Sequence, residues 1–253
     1  MDELDLIYGS DRSIKKAYGA EPGRKLTAHL KAMAAAISLS DRERGIVAAQ
    51  IPKYCRRLYM MHYAGQRAEE FEADFISGLN PESQALVWKD EVEFLYHLES
   101  MILFSRCALD IMGSVYSTFL LHPEHVSPHE SFYEFTRAVT KREDESLEEL
   151  KAAIHRIQHN ESNWYRVMCG SERGRSLRDQ VAYQSLARIE YLEEHRYQEK
   201  ECCHVVIKTT DKDKSTFTRI PLIRFVDDLR HGVMGFGIKC EELLVKKFNT
   251  QGK

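Results

Sequence analysis

The chain has 253 residues, 43% of them apolar and 30% charged. That is the make-up of an ordinary globular protein, long enough to bury a sizeable core as one large domain or two small ones. A formal charge of −3 excludes an overall basic field, so nucleic acid would have to be held by a local patch.

Six prolines and thirteen glycines are few for a turn-rich β fold and favour long helices. The cysteines (Cys55, Cys107, Cys169, Cys202, Cys203 and Cys240) show no CxxC spacing. Cys107 and Cys240 lie in apolar helical runs and read as small core residues. No structural disulfide is expected, which suits a reducing, cytoplasmic setting. The acidic opening MDELDLIYGS lacks the basic and apolar regions of a signal peptide. The run 101–121, MILFSRCALDIMGSVYSTFLL, has the length of a membrane span, but Arg106 and Asp110 inside it would be costly in lipid. It reads as a buried helix, with no membrane partner expected.

In chain order, residues 1–23 are thin in apolar content and punctuated by glycine and proline. Leu26, Leu30, Met33 and Ile37 form one stripe of a helix over 24–39. Ser40 or Asp41 can cap the next helix, which Pro52 is expected to kink or break before 54–63. A further amphipathic helix covers 66–79. The central helix is expected over 82–121, where Leu95, Leu98, Ile102, Leu109, Met112, Tyr116 and Phe119 recur at three-four spacing, broken only by Ser105, and Gly113 is a candidate break. His122–Pro128 reads as a loop, 131–140 as a short helix, and 143–159 as a charged helix with Leu147, Leu150, Ile154 and Ile157 inward. A Trp-bearing segment over 164–168 leads to a glycine break at 170–174. The β-branched runs HVVIKT and STFTRI predict a β-hairpin at about 204–220. Pro221 opens a last helix to about residue 248, where Gly232, Gly235 and Gly237 allow close packing or mark a kink. The fold class is therefore mostly α, a helical bundle with a long central helix and a small β-hairpin before the C-terminal helix. Residues 1–80 read as an N-terminal helical region, either a separate subdomain or part of the same bundle, and 81–253 as the main helical domain with the hairpin.

Metal chemistry finds little support. His122, His125 and His129 share a loop with two glutamates, but no HExxH-type spacing is present, and His155 with His159 supplies only two ligands. His204 beside Cys202 and Cys203 is the only local Cys–His pair, and the strand pattern accounts for those residues. GSERG at 170–174 lacks the GK[ST] ending of a phosphate loop. No cofactor and no metal are expected.

The stretch that offers a basic site is RSLRDQVAYQSLARIEY, residues 175–191, read as a polar couple opening a short apolar helix. Arg173, Arg175, Arg178 and Arg188 place four guanidiniums within sixteen residues, enough to neutralise phosphates. Trp164, Tyr165, Tyr183 and Tyr191 are the aromatic side chains at hand for stacking on bases. The competing reading makes Arg178 a structural ion-pair partner of Asp110 or Asp179, in a non-catalytic interaction module.

The run SLRDQVAYQ, following Trp164 and a helix containing SRCALDIMGSVY, resembles the HEPN superfamily over about residues 82–248. Those are all-helical domains, many of them metal-independent ribonucleases of toxin and antiphage systems. Their hallmark is an Arg followed by a polar residue and, a few residues on, a His. Arg178 matches the Arg and Asp179 the polar position, while Tyr183 stands where the His belongs. The resemblance implies that Arg178 holds the scissile phosphate, Asp179 orients it, and Tyr183 is a weak proton donor. A tyrosine with an ordinary pKa of about 10 moves protons poorly near neutrality. On a regular helix, positions five apart diverge by roughly 140°, so Arg178 and Tyr183 converge only if Arg178 lies in the first turn or a second chain contributes. The resemblance accordingly implies a homodimer, with RNA as the second partner, and with Tyr183 in place of the His the chain is expected to be an RNA-binding or inactive member of a defence or toxin–antitoxin-type system.

Overall fold

The computed structural model describes residues 41–78, 88–121, 131–159, 164–169, 188–191, 203–211 and 214–251. The described part is mostly α. In chain order it comprises α1 (Asp41–Gly78), α2 (Trp88–Leu120), α3 (Phe132–Lys141), a 3-10 turn (Glu145–Leu147), α4 (Glu148–His159), α5 (Trp164–Cys169), β1 (Arg188–Tyr191), β2 (Cys203–Asp211), β3 (Lys214–Pro221) and α6 (Leu222–Gln251). Two compact units are built from it: Met1–Tyr59 with Cys107–Asn160 and Val233–Lys253, and Met60–Arg106 with Glu161–Gly232. Helices α1, α2 and α6 each give one part to each unit.

Of the kink or break expected at Pro52, the break is absent: α1 runs unbroken for 38 residues with Pro52 inside it. An interior proline costs about 3 kcal/mol through its missing N–H and its clash with the preceding turn. Pro52 is exposed, so water can reach the carbonyl it leaves without a donor. Burial of Tyr54 and Met61, at about 1.5–3 kcal/mol for each large apolar side chain, outweighs that cost once Ala64 and Ala68 are added on the same helix.

The unit built on residues 107–160 centres on the second half of α2. Leu109, Met112, Tyr116 and Phe119 are buried there, as the three-four spacing predicts. The helix does not break at Gly113. A Cβ at that position would lie 3.2 Å from both Phe132 Cα and Phe135 Cβ, so the glycine serves the close approach of α3. Helix α3 starts where expected because two side chains satisfy its first amides. Ser131 Oγ accepts from Glu134 N at 3.2 Å, and Asp110 Oδ1 accepts from Phe132 N at 2.8 Å. Phe132 then packs edge-on to Phe236 of α6 at 5.3 Å. Asp144 caps the 3-10 turn by accepting from Ser146 N at 2.9 Å, and Leu147, Leu150 and Ile154 face inward. Cys240 is buried as expected, whereas Cys107 is exposed. The buried stripe runs through Ser105, Ala108, Leu109 and Met112, and Cys107 falls just off it.

The other unit packs the second half of α1 on the first half of α2, with Phe71 stacked on Phe94 at 4.5 Å. The expected hairpin is there, from Val205 opposite Ile220 to Asp211 opposite Lys214. It is not alone: β1 pairs antiparallel with β2, Arg188 opposite Val206 and Tyr191 opposite Cys203, giving a three-stranded sheet in the order β1-β2-β3. The helix expected to continue through residue 191 is therefore a strand at its end. Burial of Cys203, Val205 and Val206 on β2 supplies the apolar strand against which Ile189 and its neighbours pair. Helix α6 follows β3 directly and runs to Gln251 without interruption at its glycines. Among the described residues, no helix is long and apolar enough to cross a membrane.

Candidate functional site

Of the residues singled out in the sequence, Arg173, Arg175, Arg178, Asp179 and Tyr183 lie outside the described residues, as do His122, His125 and His129. Arg188 is placed at the start of β1, its backbone in register with Val206. Two of the aromatic side chains considered for base stacking have structural roles. Tyr165 is 5% exposed, and Trp164 packs edge-on to it at 6.0 Å. The Trp164 indole also lies against Gly232 of α6, leaving no space there for even a methyl group. Both rings belong to the packing of their unit rather than to an open platform.

Asp110 has the work of capping α3, and Arg106 Nη1 donates to the Met168 carbonyl at 3.5 Å. The two charges inside the apolar run thus satisfy backbone groups, which explains how they are tolerated there.

The Cys–His pair resolves into ordinary strand positions. Cys203 is fully buried and its backbone N–H donates to Glu72 Oε1 at 3.2 Å, with the thiol 3.7 Å from the same oxygen. His204 follows it on β2 and points to the opposite face by strand alternation. Glu72, 2% exposed, fastens the start of β2 to α1. Cys240 is buried, and burial pushes its thiol well above the ordinary range. The phenols of Tyr54 and Tyr116 are raised in the same way by burial. Tyr116 donates to the Gly237 carbonyl at 3.3 Å. Among the described residues, no three metal-ligating side chains come together.

Two polar arrangements in the unit built on 60–106 escaped the sequence reading. In the first, Arg230 of α6 grips Glu69 of α1 through both terminal nitrogens, at 3.0 and 3.4 Å, and its Nη1 lies 3.5 Å from Asp227. Gly65 makes room for this, since a Cβ there would sit 3.1 Å from Arg230 Nη2 and 3.0 Å from Met101 Sδ. His62 is close by; burial, then the Arg230 charge, push it down to about 4, so it is neutral at ordinary pH. In the second, Tyr63, Arg67, Val92, Glu93, Tyr96 and His97 share an outward face of α1 and α2. Helical spacing hinted at each half (Tyr63 with Arg67, Val92 with Tyr96), but nothing in the chain says which helices pair.

Compared with known protein families, with curated proteins and with solved structures, the chain matches none.

Proposed function

We propose that the chain is a HEPN-like cytoplasmic protein, acting as a homodimer, that binds RNA through its basic stretch and carries a degenerate metal-independent ribonuclease motif. In this reading Arg178 holds a phosphate, Asp179 orients Arg178, Tyr183 is the weak proton donor, and Arg173, Arg175 and Arg188 contribute positive charge. The observation that carries it is the Arg178-Asp179 couple followed by Tyr183, set in a mostly α chain. The placement of Arg188 on a strand and the packing of Trp164 and Tyr165 favour a second reading, a non-catalytic interaction module in which Arg178 and Asp179 form a structural ion-pair network.

Cleavage of a mixed single-stranded RNA pool in EDTA decides between them, comparing wild type with Arg178→Ala and Tyr183→His. Weak cleavage by wild type, abolished in Arg178→Ala and raised about a hundredfold in Tyr183→His, is expected, since a positioned general acid or base contributes about 10²–10⁴-fold. No cleavage by folded wild type and no gain in Tyr183→His favours the non-catalytic module. Sedimentation of the purified chain tests the dimer.

A further inference from the structure

Six large apolar side chains are exposed among the described residues, and three of them lie on the α1–α2 face of one unit: Tyr63 (44% exposed), Val92 (48%) and Tyr96 (66%). His97 stands edge-on to both rings, 6.3 Å from Tyr63 and 5.4 Å from Tyr96, and Val92 lies one turn before Tyr96 on the same side of α2. Among the described residues, Glu70, Glu93 and Arg67 carry charge around the rings. Arg67 pairs with Glu70 and, more distantly, with Glu93 at 3.7 Å; Glu93 is 3.8 Å from His97 Nε2. Glu93 and Glu70 remain 54% and 41% exposed. Burial, then the Arg67 charge, lowers His97 and favours its neutral form, so among the described residues the carboxylates outnumber the cations.

Exposed apolar area gathered in one place marks a contact surface more often than scattered side chains do. Open tyrosine faces attract cations through the ring quadrupole, and the carboxylates beside them add charge complementarity of the same sign. Phosphates would be repelled by those carboxylates, so this face is a poor RNA platform. We propose that the Tyr63–Val92–Tyr96 face, with Glu70 and Glu93, docks a lysine- or arginine-bearing segment of a partner protein. An incoming guanidinium or ammonium stacks on Tyr96 and takes over Glu93, while Arg67 gives up its longer contact and keeps Glu70. Val92 and Tyr63 cover the apolar stem of the incoming side chain.

The test uses the full chain and a fluorescein-labelled decapeptide of arginine, lysine and leucine, read by fluorescence anisotropy. A glutamate-rich peptide and a single-stranded RNA decamer serve as comparison probes. Tyr96→Ala is expected to weaken the basic peptide about three- to fivefold, the scale of an exposed cation–π contact, while Tyr96→Phe keeps most of the affinity. Glu93→Gln is expected to weaken it and to flatten its salt dependence. Because Tyr96 and Glu93 are exposed, the variants should retain wild-type circular dichroism. Absence of binding, or binding that Tyr96→Ala leaves unchanged, overturns the proposal, the latter as general attraction to an acidic chain. Tyr96-dependent binding of the RNA decamer overturns it in favour of a nucleic-acid surface.

Discussion

A methyl group added at Gly232 would overlap the Trp164 indole, whereas one added at Gly235, on the same helix, meets nothing within 4 Å. The two positions therefore separate packing from backbone effects. Gly232→Ala is expected to cost about 1–3 kcal/mol by overpacking and to shift the Trp164 fluorescence. Gly235→Ala is expected to stabilise by about 0.5–1 kcal/mol, since alanine is the better helix former. Urea unfolding of both variants checks the pair. His62 gives a second outcome at this scale. Its folded value of about 4 lies below the ordinary 6.5, so the unfolded chain takes up the proton first as pH falls. Wild type should lose stability relative to His62→Gln as pH drops from 6.5 towards 4, and the difference should be complete below 4. A parallel pair of stability curves across that window would show that His62 is not held neutral.

Among the elements, α1 offers the sharpest experiment. Pro52→Ala restores a backbone donor in the interior of a 38-residue helix, while alanine gains freedom in the unfolded chain. The first effect is about 3 kcal/mol and the second about 0.4–1 kcal/mol, so a net gain in unfolding free energy is expected; a loss would mean that the proline's fixed backbone angle shapes the helix. Pro52 also shows why a break could not be settled locally: the rule against an interior proline is local, whereas the burial of Tyr54, Met61, Ala64 and Ala68 on the same helix appears only in the packed structure. Elements with a long, regular pattern were legible: the stripe through Leu98, Ile102, Leu109, Met112, Tyr116 and Phe119, and the β-branched runs of β2 and β3. Strand β1 is harder to see: Ala187-Arg188-Ile189-Glu190-Tyr191 alternates apolar and polar, but so short a run also fits the tail of a helix, and its pairing with Cys203–Val206 is what decides. Cys107 was misplaced because its neighbours are apolar although its own direction is outward. The candidate motif at Arg178, Asp179 and Tyr183 was legible only as a pattern. The aromatic face of Tyr63 and Tyr96 depends on a helix pairing that no local rule contains.

For the whole molecule, each compact unit draws on the same three helices. Helix α1 supplies Tyr54 and Cys55 to one core and Met61, Ala64 and Ala68 to the other, and α2 and α6 are divided between the units in the same way. A fragment of residues 81–253 lacks all of α1. It is expected to show neither a cooperative thermal transition nor the helical circular dichroism of the full chain; an independently folding fragment would show that α1 is dispensable to both cores. The contacts at α6 carry a further consequence, one of inheritance. Gly232 lies beneath Trp164, and a Cβ at Gly237 would sit 2.5 Å from the Tyr54 hydroxyl, so in neither pair can the glycine gain a side chain while the ring stays as it is. Descendant sequences should change these partners together, a larger residue at 232 arriving only with a smaller one at 164. The two couples, 68 and 183 positions apart along the chain, would then be read as neighbours from the sequences alone.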